Sequence, residues 1–224
     1  MLVVSLVSSK GGCGKSTIAT NLAVEAVRAG VGTIIIDLDS QATSWNWGQK
    51  RKAPMPQVVA SQAPALPSLL KEAAAQGVGL VVIDTPPRAD TVGVQAAKVS
   101  DYILVPCQPS GFDLDAMSAS LMAAQIAGKP ATAIINGALA SSSITDDVAD
   151  ALEAGGVRVA PVRLGLRVDF RHPLPRGDAA SEWDAKGKAA QEVTALWNWL
   201  CQQEGMSALQ HARTPAMQHE GARA

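Results

Sequence analysis

Long hydrophobic runs are missing from this chain. No apolar stretch approaches the ~18 residues needed to span a bilayer, and the strand-like runs are short. Cysteine is sparse: Cys13, Cys107 and Cys201 stand far apart with no paired spacing. That argues against a disulfide framework or a zinc site and suits a reducing cytoplasm. Charge of one sign is lacking too. Nineteen Lys and Arg face 20 Asp and Glu, a formal net charge of −1, so any basic surface is local rather than global. The opening MLVVSLVSSKGG has no positive leader region and runs straight into a glycine-rich loop. It reads as a first strand, and nothing in it directs export.

What is present is a chain of 224 residues, 47% apolar and 17% charged, enough for one domain with a full core. Short β-rich runs alternate with helical segments. Strands are expected at 2–7, 33–36, 80–83, 102–105, 131–135 and 157–160, and helices at 17–29, 67–76, 91–98, 113–127, 145–153 and 186–203. This alternation calls for an α/β fold: a single doubly wound, mostly parallel sheet with helices on both faces and right-handed crossovers. Residues 1–204 are expected to form the domain and 205–224 a loose tail. Residues 40–66, with Trp45, Trp47 and Lys50-Arg51-Lys52, read as a long irregular stretch, which inside a compact domain is usually functional.

Chemistry concentrates at the strand ends. Lys10-Gly11-Gly12-Cys13-Gly14-Lys15-Ser16-Thr17 lies between the first strand and the first helix, the setting of a P-loop. Glycines let consecutive backbone N–H groups form a concave anion site, and the helix N-terminus adds its dipole. Lys15 is placed for β/γ-phosphates and the Ser16 hydroxyl for Mg2+. A dinucleotide loop is excluded, since Thr17 occupies its third glycine position. Two further buried strands end in acids: Ile34-Ile35-Ile36-Asp37-Leu38-Asp39 and Leu80-Val81-Val82-Ile83-Asp84-Thr85-Pro86-Pro87. Strand C-termini face the ligand in such folds, so these carboxylates point toward Mg2+ and an attacking water. Asn136 closes another strand at the same edge, offering a donor and an acceptor. Cys107 reads as a small core residue.

The loop has Ser9 where the ordinary motif has its first glycine, and gains Lys10. In this it resembles the deviant Walker A family of ParA, MinD and the nitrogenase iron protein. The resemblance spans roughly residues 1–200 and implies an ATPase with slow basal turnover stimulated by a partner, using ATP and Mg2+. It implies that Lys10 reaches across an ATP-dependent homodimer to the partner's nucleotide. Asp39 would position the hydrolytic water, Asp37 and Asp84 would serve the Mg2+ shell, and Asn136 would read adenine. Asp37-Leu38-Asp39-Ser40-Gln41 departs from the family's D-x-D-P-Q at Ser40. Thr85-Pro86-Pro87 is similar to its switch II.

Within the family, no cysteine has a cluster-ligand context, the tail has too little apolar face to lie on a membrane, and Tyr102 is the only tyrosine. The chain therefore looks most like the ParA branch, whose members segregate plasmid or chromosomal DNA or position large cargo on the nucleoid. That implies non-specific DNA binding, a ParB-like or cargo adaptor, and a cytoplasmic, nucleoid-associated location. Between Arg158 and Lys188 seven basic residues face four acids. Arg163, Arg167 and Arg171 recur every four residues, so a helix there would gather them on one DNA-facing side. Lys50-Arg51-Lys52 is the competing patch. A P-loop enzyme or metallochaperone, or a MinD-like positioning ATPase, is the alternative.

Overall fold

The computed structural model describes residues 1–87, 91–109, 113–139 and 143–210. Seven strands, β1 (Leu2–Leu6), β2 (Thr33–Asp37), β3 (Gln57–Ala60), β4 (Leu80–Asp84), β5 (Tyr102–Cys107), β6 (Ala131–Ala138) and β7 (Leu164–Gly165), form one sheet in the order β3-β2-β4-β1-β5-β6-β7. Every pairing is parallel. The helices are α1 (Lys15–Arg28), α2 (Thr43–Lys50), α3 (Leu66–Ala75), α4 (Thr91–Val99), α5 (Asp113–Ala127), α6 (Ser143–Ala154), α7 (Ala180–Trp183) and α8 (Lys188–Cys201).

The sheet is continuous in apolar residues because both faces are covered. Along β4, Leu80 and Val82 point to one face and Val81 and Ile83 to the other. The first face packs on Ile18 and Leu22 of α1 and on Val193, Leu196 and Leu200 of α8. The second packs on α3 through α6, where Leu66, Ala96, Met117 and Val148 contribute. A buried polar pair deep in the sheet is satisfied: Tyr102 Oη and Thr132 Oγ1 lie 2.7 Å apart. Cys13, Cys107 and Cys201 are all buried thiols outside any disulfide.

Several expectations need correction. Residues 40–66 are not irregular: they hold α2, the edge strand β3 and a 3-10 turn at Ala63–Ala65. The sequence hides α2 because Thr43-Ser44-Trp45-Asn46-Trp47-Gly48-Gln49-Lys50 has no apolar stripe, Trp47 being buried while Trp45 is 36% exposed. The strand expected at 157–160 is reduced to an isolated bridge, Ala133 to Val159, and pairing resumes at β7. Packing also continues past residue 204. Met206 and Leu209 are buried in the main core cluster and Ser207–Gln210 forms a 3-10 turn, while residues 211–224 of the expected tail lie outside the described residues.

Candidate nucleotide-binding site

β1 runs into the loop and α1 begins at Lys15. Gly14 caps the helix at φ 98°, and a Cβ there would stand 2.0 Å from Asn136 Nδ2. Both the backbone and the close approach therefore require glycine. The buried Lys15 ammonium donates to the carbonyls of Ser8 (3.3 Å) and Lys10 (3.2 Å). Two carboxamides from neighbouring strand ends grip the loop's own carbonyls. Asn136 Nδ2 donates to Cys13 O at 2.8 Å, and Gln108 Nε2 donates to Gly12 O at 3.2 Å. A carbonyl only accepts, so the Asn136 amide must present its nitrogen to the loop, leaving Oδ1 as its other polar atom. Gln108 is a site residue that motif reading passed over. Its only signal was a strand-end amide at the same sheet edge.

The acids sit where the parallel register puts them: Asp37 pairs with Asp84 across β2 and β4. Asp84 is fully buried and accepts a 2.6 Å hydrogen bond from Ser44 Oγ. Burial pushes its carboxyl up to about 6, against the hydroxyls of Ser16 and Ser44, which lower it. Its Oδ1 has no hydrogen-bond partner of good geometry among the described residues. An all-oxygen set of an orphaned buried carboxylate atom and the Ser16 hydroxyl suits a hard divalent cation, so the residues present fit Mg2+.

Asp37 is engaged differently. Its Oδ1 accepts the Asp39 N–H (3.0 Å) and its Oδ2 the Trp45 N–H (2.9 Å). Burial raises its pKa, and these backbone amides counter the rise. Asp37 thus anchors the first turn of α2, a contact the metal-shell expectation did not anticipate. Asp39, half-exposed, accepts from the Gln41 N–H at 2.9 Å. It lines a cavity of about 390 Å3 with Gly11, Gly12, Gly14, Lys15, Ser16, Thr17 and Pro87. The structure therefore brings the loop, Asp39 and the switch-like Pro87 to one cleft, with Asp84 buried beside Ser16.

The arginine expectation needs correction. Residues 163–171 are not a helix: β7 is followed by a 3-10 turn at Val168–Phe170. Leu164 pairs with Asn136 of β6, and the Gly165 N–H is taken by Glu192 of α8 at 3.0 Å, so strand pairing overrides the four-residue spacing. Arg163 ion-pairs with Asp146. Arg167 grips Glu192 with Nε at 2.9 Å and Nη2 at 2.5 Å. Arg171 is exposed. The competing patch is also broken, since the Arg51 side chain is only 3% exposed and is bound to Glu182.

A glycine-rich loop closed by lysine at the C-terminal edge of a seven-stranded parallel sheet, with acidic strand ends beside it, defines a P-loop nucleotide-binding protein. The chain belongs to the CobQ/CobB/MinD/ParA nucleotide-binding domain family, whose model matches residues 4–189. It is 28% identical over 205 residues to maintenance of carboxysome distribution protein A of Halothiobacillus neapolitanus, covering 87% of this chain and 94% of that protein. Among solved structures it is similar to the septum site-determining protein MinD of Pyrococcus horikoshii, complexed with Mg-ADP. There the TM-score is 0.77 at 17% identity, covering 93% of this chain and 98% of that one. Apo McdA of Cyanothece gives a TM-score of 0.70 at 16% identity, over 89% of this chain and 99% of that one. Members of the ParA/MinD family are ATPases. Among the described residues no helix is long and apolar enough to cross a membrane.

Proposed function

We propose that this chain is an ATP-driven dimerising switch that positions a large cargo, a carboxysome-like body or a DNA molecule, by binding DNA without sequence preference and answering to an adaptor protein. The observation that supports this most is the cleft where Asp39 faces a P-loop carrying two lysines. The similarity to a carboxysome-distribution protein over nearly all of both chains supports the cargo-positioning reading.

In this reading the loop amides and Lys15 hold the phosphates, while Ser16 and Asp84 hold Mg2+. Mg2+, when bound, offsets charge on the β- and γ-phosphate oxygens. Asp39 orients the attacking water, and Asn136 offers Oδ1, an acceptor, toward the amino group of adenine. Asp37 acts mainly by fixing α2, with the metal shell a secondary contact. Lys10 reaches the partner's nucleotide in the dimer. DNA phosphates meet the exposed Arg171, Arg176, Lys186 and Lys188, because Arg163 and Arg167 are held in ion pairs within the fold.

The test is a filter-binding titration against random-sequence DNA at several salt concentrations, with ATP–Mg2+ and with ADP. Binding should be tight only with ATP and should fall steeply with salt as counterions are released. Asp39→Ala should hydrolyse ATP on the order of 100-fold more slowly yet keep ATP-dependent DNA binding. Charge reversal at Arg171, Lys186 and Lys188 should abolish DNA binding and spare hydrolysis. Salt-insensitive or sequence-selective binding would exclude the reading.

A further inference from the structure

We infer that Ser44 is a positioning residue for the metal: it holds one oxygen of Asp84 so that the other is left to face the cation. The inference rests on reading the cleft as a metal–nucleotide site. Ser44 is fully buried in the first turn of α2 and lies 40 positions from Asp84 in sequence, yet its Oγ stands 2.6 Å from Asp84 Oδ2. A hydroxyl donating to a carboxylate at that distance is a charge-assisted bond of the strong class. It occupies one of the two carboxylate oxygens, and Oδ1 is the one without a good partner. Fixing which oxygen is engaged fixes the rotation of the carboxylate, which is what an outer-sphere partner does for a metal-facing acid.

The hydroxyl is itself held on a rigid element. Asp37 takes the Trp45 N–H at 2.9 Å and locks the turn that carries Ser44. Ala42, at φ 53°, turns the chain into the helix just before it. The far end of α2 is tied down where Trp47 Nε1 donates to Asp178 O at 3.0 Å and Arg51 Nη1 to Gly177 O at 2.8 Å. A buried serine in a helix commonly returns its proton to a carbonyl one turn back; here the proton goes instead to the acid of a different strand.

The experiment uses Mn2+ as a spectroscopic stand-in for Mg2+. Paramagnetic titration measures Mn2+ affinity of the protein–ATP complex, and a fluorescent ATP analogue in chelator measures metal-free nucleotide affinity. Ser44→Ala should weaken Mn2+ binding about 10-fold, the usual scale for losing an outer-sphere partner, with metal-free nucleotide affinity unchanged. Ser44→Cys, a weaker donor of similar shape, should fall between the two and carries the test if the alanine variant does not fold. Unchanged Mn2+ affinity, or parallel loss of metal and metal-free nucleotide binding, would overturn the role. A wild-type protein that binds no Mn2+ with ATP would overturn the site reading instead.

Discussion

Asp84 shows how one residue can trade stability for chemistry. Its carboxyl is raised by burial from 3.8 to about 6. A carboxyl raised in the folded state favours folding most when it is protonated. That contribution is complete below the unfolded pKa and is lost as pH rises through about 6. Above that the charged group opposes folding by roughly 3 kcal/mol, at about 1.4 kcal/mol per pKa unit. Burial raises Asp37 in the same direction. Asp84→Asn, denatured without nucleotide or metal, should therefore be more stable than wild type at pH 8, and the gap should close on acidification toward pH ~4. The same variant should lose Mg2+-dependent hydrolysis. Equal denaturation midpoints at pH 8 would show that Asp84 is not strained by its burial.

At the scale of elements, α2 is the part the sequence concealed and the part on which the site leans. It has little intrinsic claim to be a helix. Its first turn is held by Asp37 and its last by Arg51, whose guanidinium lies over the Trp47 ring at 4.7 Å. Arg51 also donates to Glu182 at 2.7 and 2.8 Å and to the carbonyls of Gly177 and Met55. Gly177, at φ 72°, lets the chains meet, since a Cβ there would stand 2.4 Å from Arg51 N. Arg51→Ala should destabilise the protein by about 3 kcal/mol or more by stranding these partners. Arg51→Lys should recover little, because an ammonium cannot reproduce the planar fork. Chemical denaturation measures both, and a loss below about 0.5 kcal/mol, the range of ordinary surface changes, would remove the clamp.

Such contacts explain where sequence reading stopped. β1, β4 and β5 were legible because continuous apolar runs of strand length mean burial on two faces, and the loop was legible because its chemistry is local. The arginine spacing at 163, 167 and 171 misled because the decisive partners, Glu192 and Asp146, are remote in sequence. Ser44 and Gln108 carried no motif. Only the sheet order, which sets β2 and β5 on either side of β4 and β1, brings them to the site.

For the whole molecule, the question is whether one copy makes a complete site. In the proposed reading the cation serving the chain's own phosphates is Lys15, whose ammonium donates to the carbonyls of Ser8 and Lys10. Lys10 meets that ammonium through its backbone oxygen, and in the proposed reading its side chain acts toward a partner's nucleotide. Gly11, Gly12 and Pro87 line the cleft, and a second copy approaching the phosphates there would bring its own Lys10 to them. A cation brought there by a partner would meet the triphosphate in a largely water-excluded setting, where its attraction is far stronger than on a free surface. Lys10→Ala should thus bind ATP with near wild-type affinity yet remain monomeric with ATP–Mg2+. Light scattering on Lys10→Ala and wild type, each combined with Asp39→Ala to keep ATP intact, reads the mass directly. Dimerisation of the lysine variant at wild-type concentration would show that Lys10 does not act across an interface. A failure to bind ATP at all would instead place its side chain in the chain's own site.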